Sequence, residues 1–318
     1  MAYTKGGQNI SGQFGMPLYG IAGIPAFTGN WFWVDQTNGS DGNTGGPQDP
    51  LKTLSAAHSL CTANNNDVVF LTGTVHITAT LTWSKSRTHL IGLAPKLLSQ
   101  ARARISQTGS TVFTPLLAIS ASECIFEDIG TFHGFADASA QIAVAVTGGR
   151  NAFRRCLFGG MGEATAAAQA GGRSLTITGS TGENTFEDCQ IGLDTITSSA
   201  ANASLELLGA TPRNVFRRCI FPRMTSSATT LMVKTTASGA VDRFTLFQDC
   251  QFINAIQSTS TQMTVAFSMA ASAGGMMLLK GCESIGSTKW GDAGALAQMY
   301  IDMPVVSAAA GGLAIVPS

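Results

Sequence analysis

Cysteine is the most regularly placed reactive residue in this sequence. Five of its seven cysteines, Cys156, Cys189, Cys219, Cys250 and Cys282, stand three residues after a large apolar one: Phe153, Phe186, Phe216, Phe247 and Leu279. Phe126 opens the same series, with Ile129 in the cysteine position. Thiolates could ligate a metal or carry a redox couple, but zinc sites take paired ligands such as Cys-x-x-Cys with a partner close by. Here the anchors are spaced by 27, 33, 30, 31 and 32 residues, and no second ligand accompanies each thiol. The expected role is a small buried apolar side chain. An odd number of thiols cannot all pair within one chain, and with no secretory signal read at the N-terminus they are expected to be reduced and buried.

The other reactive types are scattered. His58, His76, His89 and His133 share no spacing, and His133, in "TFHGF", is expected to be structural. No Gly-x-Ser-x-Gly, phosphate loop or metal-binding His pair occurs. "NGSDGN" at 38–43 resembles a calcium loop but lacks the Asp-x-Asp-x-Asp pattern and the distal Glu, so turn chemistry is expected there. No catalytic, metal or cofactor-binding residue is assigned.

The residues between anchor and cysteine are charged, and their sign flips. They read Glu127-Asp128, Arg154-Arg155, Glu187-Asp188, Arg217-Arg218, Gln248-Asp249 and Lys280-Gly281. The flip makes sense if successive phrases stack. In a stacked solenoid, equivalent residues lie about 4.8 Å apart, so a column of one sign would repel itself. Alternation gives each charge an opposite neighbour, worth roughly 0.2–1 kcal/mol per exposed pair. It also penalises a slip of one repeat.

The elements that would position these columns read as strands. Alternating segments such as "IAVAV", "SLTITG" and "SLELLG" precede the phrases, with period two and many β-branched residues. Gly/Ser/Thr/Ala stretches such as "GGMGEATAAAQAGG" separate them. Units near 30 residues are too short for propeller blades and lack the two helices of an ankyrin or tetratricopeptide repeat. The expected fold is all-β: a right-handed parallel β-helix in which the Phe, Cys and following apolar residues form inward ladders. Phe126 and Phe153 through Phe247, with Cys156 through Cys282, are the expected ladder residues.

"VDQTNGSDGNTGG" and "PLKTLSAA", within residues 34–57, resemble the opening of pectate-lyase-like right-handed β-helix proteins. The resemblance implies a β-helix over 31–285 and a capping helix near 53–62. Enzymes of that fold cut or eliminate acidic polysaccharides, using clustered carboxylates, bound calcium or an unpaired basic residue. Here the carboxylates are few, many sit beside arginines, and the Asn-Thr-Asp and Gly-His-Gly phrases of polygalacturonases are absent.

Residues 1–30 read as an extended arm, with Phe14, Leu18, Tyr19, Ile21, Ile24 and Phe27 as docking contacts. Residues 286–318 lose the phrase and are expected to form an irregular last coil or cap. Only 12% of residues are charged, and 19 basic residues balance 19 acidic ones. No basic excess points to nucleic acid, and no apolar run suits a membrane span. "MAYTKGGQNISGQFG" does not read as a secretory signal. These features favour a non-enzymatic structural protein of a tailed-bacteriophage virion, decorating or cementing the capsid. Its expected partners are a major capsid protein or another virion protein and further copies of itself, a trimer being one option. It would be made in the host cytoplasm. The alternative is a tailspike depolymerase or a protein that binds surface glycan.

Overall fold

The computed structural model describes residues 29–93, 103–109, 111–235, 239–255, 261–269, 274–292, 298–302, 306–307 and 312–313. The arm expected over 1–30, with Phe14, Leu18, Tyr19, Ile21, Ile24 and Phe27, lies outside the described residues but for its last two positions.

The strands stack into three sheets, of ten, eight and ten strands among the described residues. One coil shows the path. Ile142–Val146 lies in the second, eight-stranded sheet and Ala152–Arg154 in the first. Leu157–Gly159 follows in the third, and a loop returns the chain to Arg173–Thr178 in the second. Neighbouring coils pair in parallel; Val306–Ser307 with Gly312–Leu313 is an antiparallel exception. The fold is a right-handed parallel β-helix.

Register follows the phrase. Phe126, Phe153, Phe186, Phe216, Phe247 and Leu279 are direct cross-strand partners in the first sheet. Because alternate residues of a strand face opposite ways, this shared register turns every anchor inward. The phenyl rings stack at centroid separations of 5.0, 4.5, 4.6 and 4.9 Å, within 11° of coplanar. Phe158, Phe221 and Phe252, five residues after their anchors, pack edge-on or tilted against this column.

A helix at Leu54–Leu60 covers the start of the solenoid, burying Leu54 and Ala57. Thr53 caps it by accepting from the Ala56 N–H at 3.1 Å. Asp41 holds that cap, accepting from Lys52 N, Thr53 N and Thr53 Oγ1 at 3.0, 2.8 and 2.9 Å. The "NGSDGN" loop is thus a helix-capping turn.

Coil register continues past residue 285, where the phrase stops. Ser287–Gly291 joins the second sheet and Met299–Ile301 the first. Ile301 takes the anchor's place beside Leu279 in the first sheet, and Trp290 packs from the second sheet, 6.0 Å from both Phe252 and Phe267. Burial of apolar alternate residues is enough to extend a sheet when the corner motif is lost.

Candidate functional site

The phrase builds two tight corners, one on each side of the first-sheet strand. Two residues after each anchor, Asp128, Arg155, Asp188, Arg218, Asp249 and Gly281 adopt left-handed φ values of 49–63°. That conformation costs an L-residue on the order of 1 kcal/mol, and Asp and Gly tolerate it best. The corner throws the next residue inward. Cys156, Cys189, Cys219, Cys250 and Cys282 are buried free thiols. Each Sγ donates to the backbone carbonyl of the anchor one coil earlier, Phe126, Phe153, Phe186, Phe216 and Phe247, at 3.3–3.5 Å. Cysteine recurs because it is small, apolar and a weak donor at once. Burial pushes the Cys156 and Cys219 thiols well above the ordinary range, which keeps them protonated.

The second corner lies three residues before Phe126, Phe153, Phe186 and Phe216, and before Leu90, which pairs with Phe126 one coil on. Arg87, Glu123, Arg150, Glu183 and Arg213 are also left-handed there, with φ of 50–61°. They form a continuous chain of ion pairs: Arg87–Glu123 2.6 Å, Glu123–Arg150 3.7 Å, Arg150–Glu183 3.1 Å and Glu183–Arg213 2.8 Å. This second column was missed in the sequence. Its signal was present, since the sign at minus three matches the sign after the anchor. Arg87 holds the Glu123 carboxyl below its usual range, and Arg150 with Arg213 does the same for Glu183.

The first column pairs as well. Arg155 is bidentate to Asp128, with both contacts at 2.7 Å, and also touches Glu127. Arg218 is bidentate to Asp188 at 2.8 and 3.1 Å. Glu187 lies 3.7 Å from Arg154 and 3.6 Å from Arg217. Arg218 reaches back to Asp188, and no ion pair joins it to Asp249. Burial pushes the Glu127 carboxyl up, against the pull of Arg155.

Between corner and strand sits an asparagine ladder, also missed. The side-chain oxygens of Asn151, Asn184 and Asn214 accept backbone N–H bonds from Cys124, Asn151 and Asn184 at 2.9–3.1 Å. Asn151 and Asn184 donate to the carbonyls of Ala121 and Gly148. These amides satisfy backbone groups where the sheet turns away.

Other polar clusters hold loops. Arg173 pairs with Glu206 at 2.7 Å in the second sheet. Arg223, 2% exposed, donates to Ser204 and Ser198 at 3.0 Å and to Asn202. Burial, with Arg173 nearby, lowers its pKa to about 9. It ties the loop over 192–202 to the coil. His76 Nδ1 lies 2.9 Å from Ser106 Oγ, while Gln36 clamps the His76 backbone. Burial drives His58, His89 and His133 down to about 4, so all three are neutral near pH 7. Among the described residues, no group of three or more His, Cys, Asp or Glu could hold a metal ion.

Comparison with known proteins bears on this geometry through the fold. No family model matches the chain, and no curated protein matches it. Solved structures do. A pectin methylesterase in complex with a hexasaccharide superposes with a TM-score of 0.59 at 14% identity, over 93% of this chain and 92% of that one. The pectin methylesterase from Erwinia chrysanthemi gives 0.59 at 13% identity, with the same coverage. A pectate lyase gives 0.55 at 14%, covering 82% of this chain and 64% of that chain. The shared feature is the pectate-lyase-like parallel β-helix, a fold used by carbohydrate-active enzymes; identities this low speak for the fold alone.

Proposed function

We propose that this chain is a non-enzymatic structural protein of a tailed-bacteriophage virion, a rigid solenoid that decorates or cements the capsid through residues 1–30. The observation that carries the reading is the state of its charged groups along the first sheet. The carboxylates of Glu123, Asp128, Glu183, Glu187 and Asp188 are each matched to an arginine. Arginines hold the Glu123 and Glu183 carboxyls below their usual range, opposite to what a general acid needs. These charges are used to register coils, which makes a stiff rod. The low overall charge supports packing against other proteins. Electron microscopy of the source particle should show coil-sized density on the capsid shell. Deleting residues 1–28 should leave a folded solenoid that no longer binds the particle; a truncated chain that unfolds would instead make those residues part of the core.

A second reading is favoured by the likeness to a pectin methylesterase solved with a hexasaccharide. In it the outer face binds or cleaves a surface glycan. Glycan arrays and depolymerase assays on host polysaccharide separate the two: specific retention or cleavage would displace the structural reading.

A further inference from the structure

The outer face of the first sheet is striped across its whole width. The coil of Phe126 carries Glu123 and Asp128, with Glu127 buried beside them; that of Phe153 carries Arg150, Arg154 and Arg155. The coil of Phe186 carries Glu183, Glu187 and Asp188; that of Phe216 carries Arg213, Arg217 and Arg218. Down the middle runs a half-buried strip, Ala152, Thr185, Val215 and Leu246, one residue before each anchor and facing outward. The ladder pairs do not exhaust the arginines. Arg154 and Arg217 contact Glu187 only at 3.7 and 3.6 Å, leaving guanidinium donors turned to solvent.

Such a pattern distinguishes partner orientations. Two copies placed side by side in parallel at equal height would set acidic coil against acidic coil. Two copies related by a two-fold axis between the coils of Phe153 and Phe186 run antiparallel. Then the Phe126 coil meets the Phe216 coil, and the Phe153 coil meets the Phe186 coil, opposite signs throughout. We propose that this face docks a second copy of the chain in that antiparallel arrangement, with the uncharged central strips in contact and the charge stripes interleaved. The interface is isologous, as a two-fold requires. A cyclic trimer with parallel axes would have to use another face. The inference stands apart from the virion reading, since it concerns only how copies meet.

Sedimentation at low salt should show a dimer. In about 1 M salt, where the screening length is ~3 Å, its dissociation constant should rise at least about tenfold. A spin label at Lys280→Cys reports orientation, and the native thiols are buried. Seven coil steps of about 4.8 Å and sheets about 10 Å apart place the two labels about 35 Å apart in the antiparallel dimer. The double variant Val215→Lys, Leu246→Lys touches no ladder contact; it should give monomers with an unchanged circular dichroism spectrum. A monomer in low salt at tens of micromolar would overturn the proposal. So would labels closer than about 20 Å, which mean a parallel pair, or a dimer indifferent to the strip variant.

Discussion

"NAFRRCLF" at 151–158 and "NVFRRCIF" at 214–221 are nearly the same sentence, yet their second arginines live differently. Arg155 grips Asp128 and touches Glu127, whose side chain is 1% exposed. Arg218, 56% exposed, grips Asp188, which is itself open to solvent. Backbone, corner, thiol and ring are common to both copies. What differs is the neighbour one coil back, and hence the dielectric in which the charge sits. The motif fixes where a guanidinium goes, and the surrounding coils fix what it is worth.

The largest effect should not distinguish the copies at all. His58, His89 and His133 are neutral in the fold, with pKa values lowered to about 4 from 6.5. A lowered histidine pKa means the unfolded chain binds protons first. Stability is therefore full above pH 6.5 and falls towards pH 4, on the order of 3 kcal/mol per histidine. Chemical denaturation across that window should show it; a flat profile would mean that the rings are solvated. Next, Phe153→Ala and Phe216→Ala should each cost roughly 3–5 kcal/mol, and alike, because the interiors match. Unequal costs in urea melts would break the claim of a shared core.

The copies should separate at the arginine. Arg155→Met strands the buried Glu127 carboxylate, and with Arg155 one-third exposed the cost at neutral pH should be about 2 kcal/mol. Arg218→Met should change little by the same measurement. The Arg155→Met penalty belongs to a carboxyl with a raised pKa, so it is absent below pH 4.5 and grows as pH rises through the folded value. Equal losses for both variants, or a pH-independent one, would refute the contrast. A milder test is Asn184→Leu, which leaves backbone groups at one corner unpaired and should cost roughly 1–3 kcal/mol. Hydrogen exchange at Asn151 should speed up, since its N–H bonds to the lost oxygen.

Much of this was legible. Period-two segments and the recurrent Phe-x-x-Cys specify parallel coils, because only stacking buries a column of identical side chains. The Asn two residues before Phe153, Phe186 and Phe216 stood in the same strings and went unread. So did the charge at minus three. A left-handed corner usually announces itself with Gly or Asn, and here Arg and Glu occupy it, so composition gave no turn signal. Arg173–Glu206 and the Arg223 cluster join residues from different coils across a loop, and no linear spacing encodes such convergence.

The alternation of charged coils also sets a rule of parity for how this chain can grow or shrink. Removing one coil would bring two acidic or two basic edges into register; removing two adjacent coils would leave every edge beside its opposite. The smallest neutral step is thus a pair of coils, and the two Arg-Arg phrases, whose anchors Phe153 and Phe216 stand 63 residues apart, mark one such pair. Duplication of that length lengthens the rod without disturbing its electrostatics, and duplication of half of it does not.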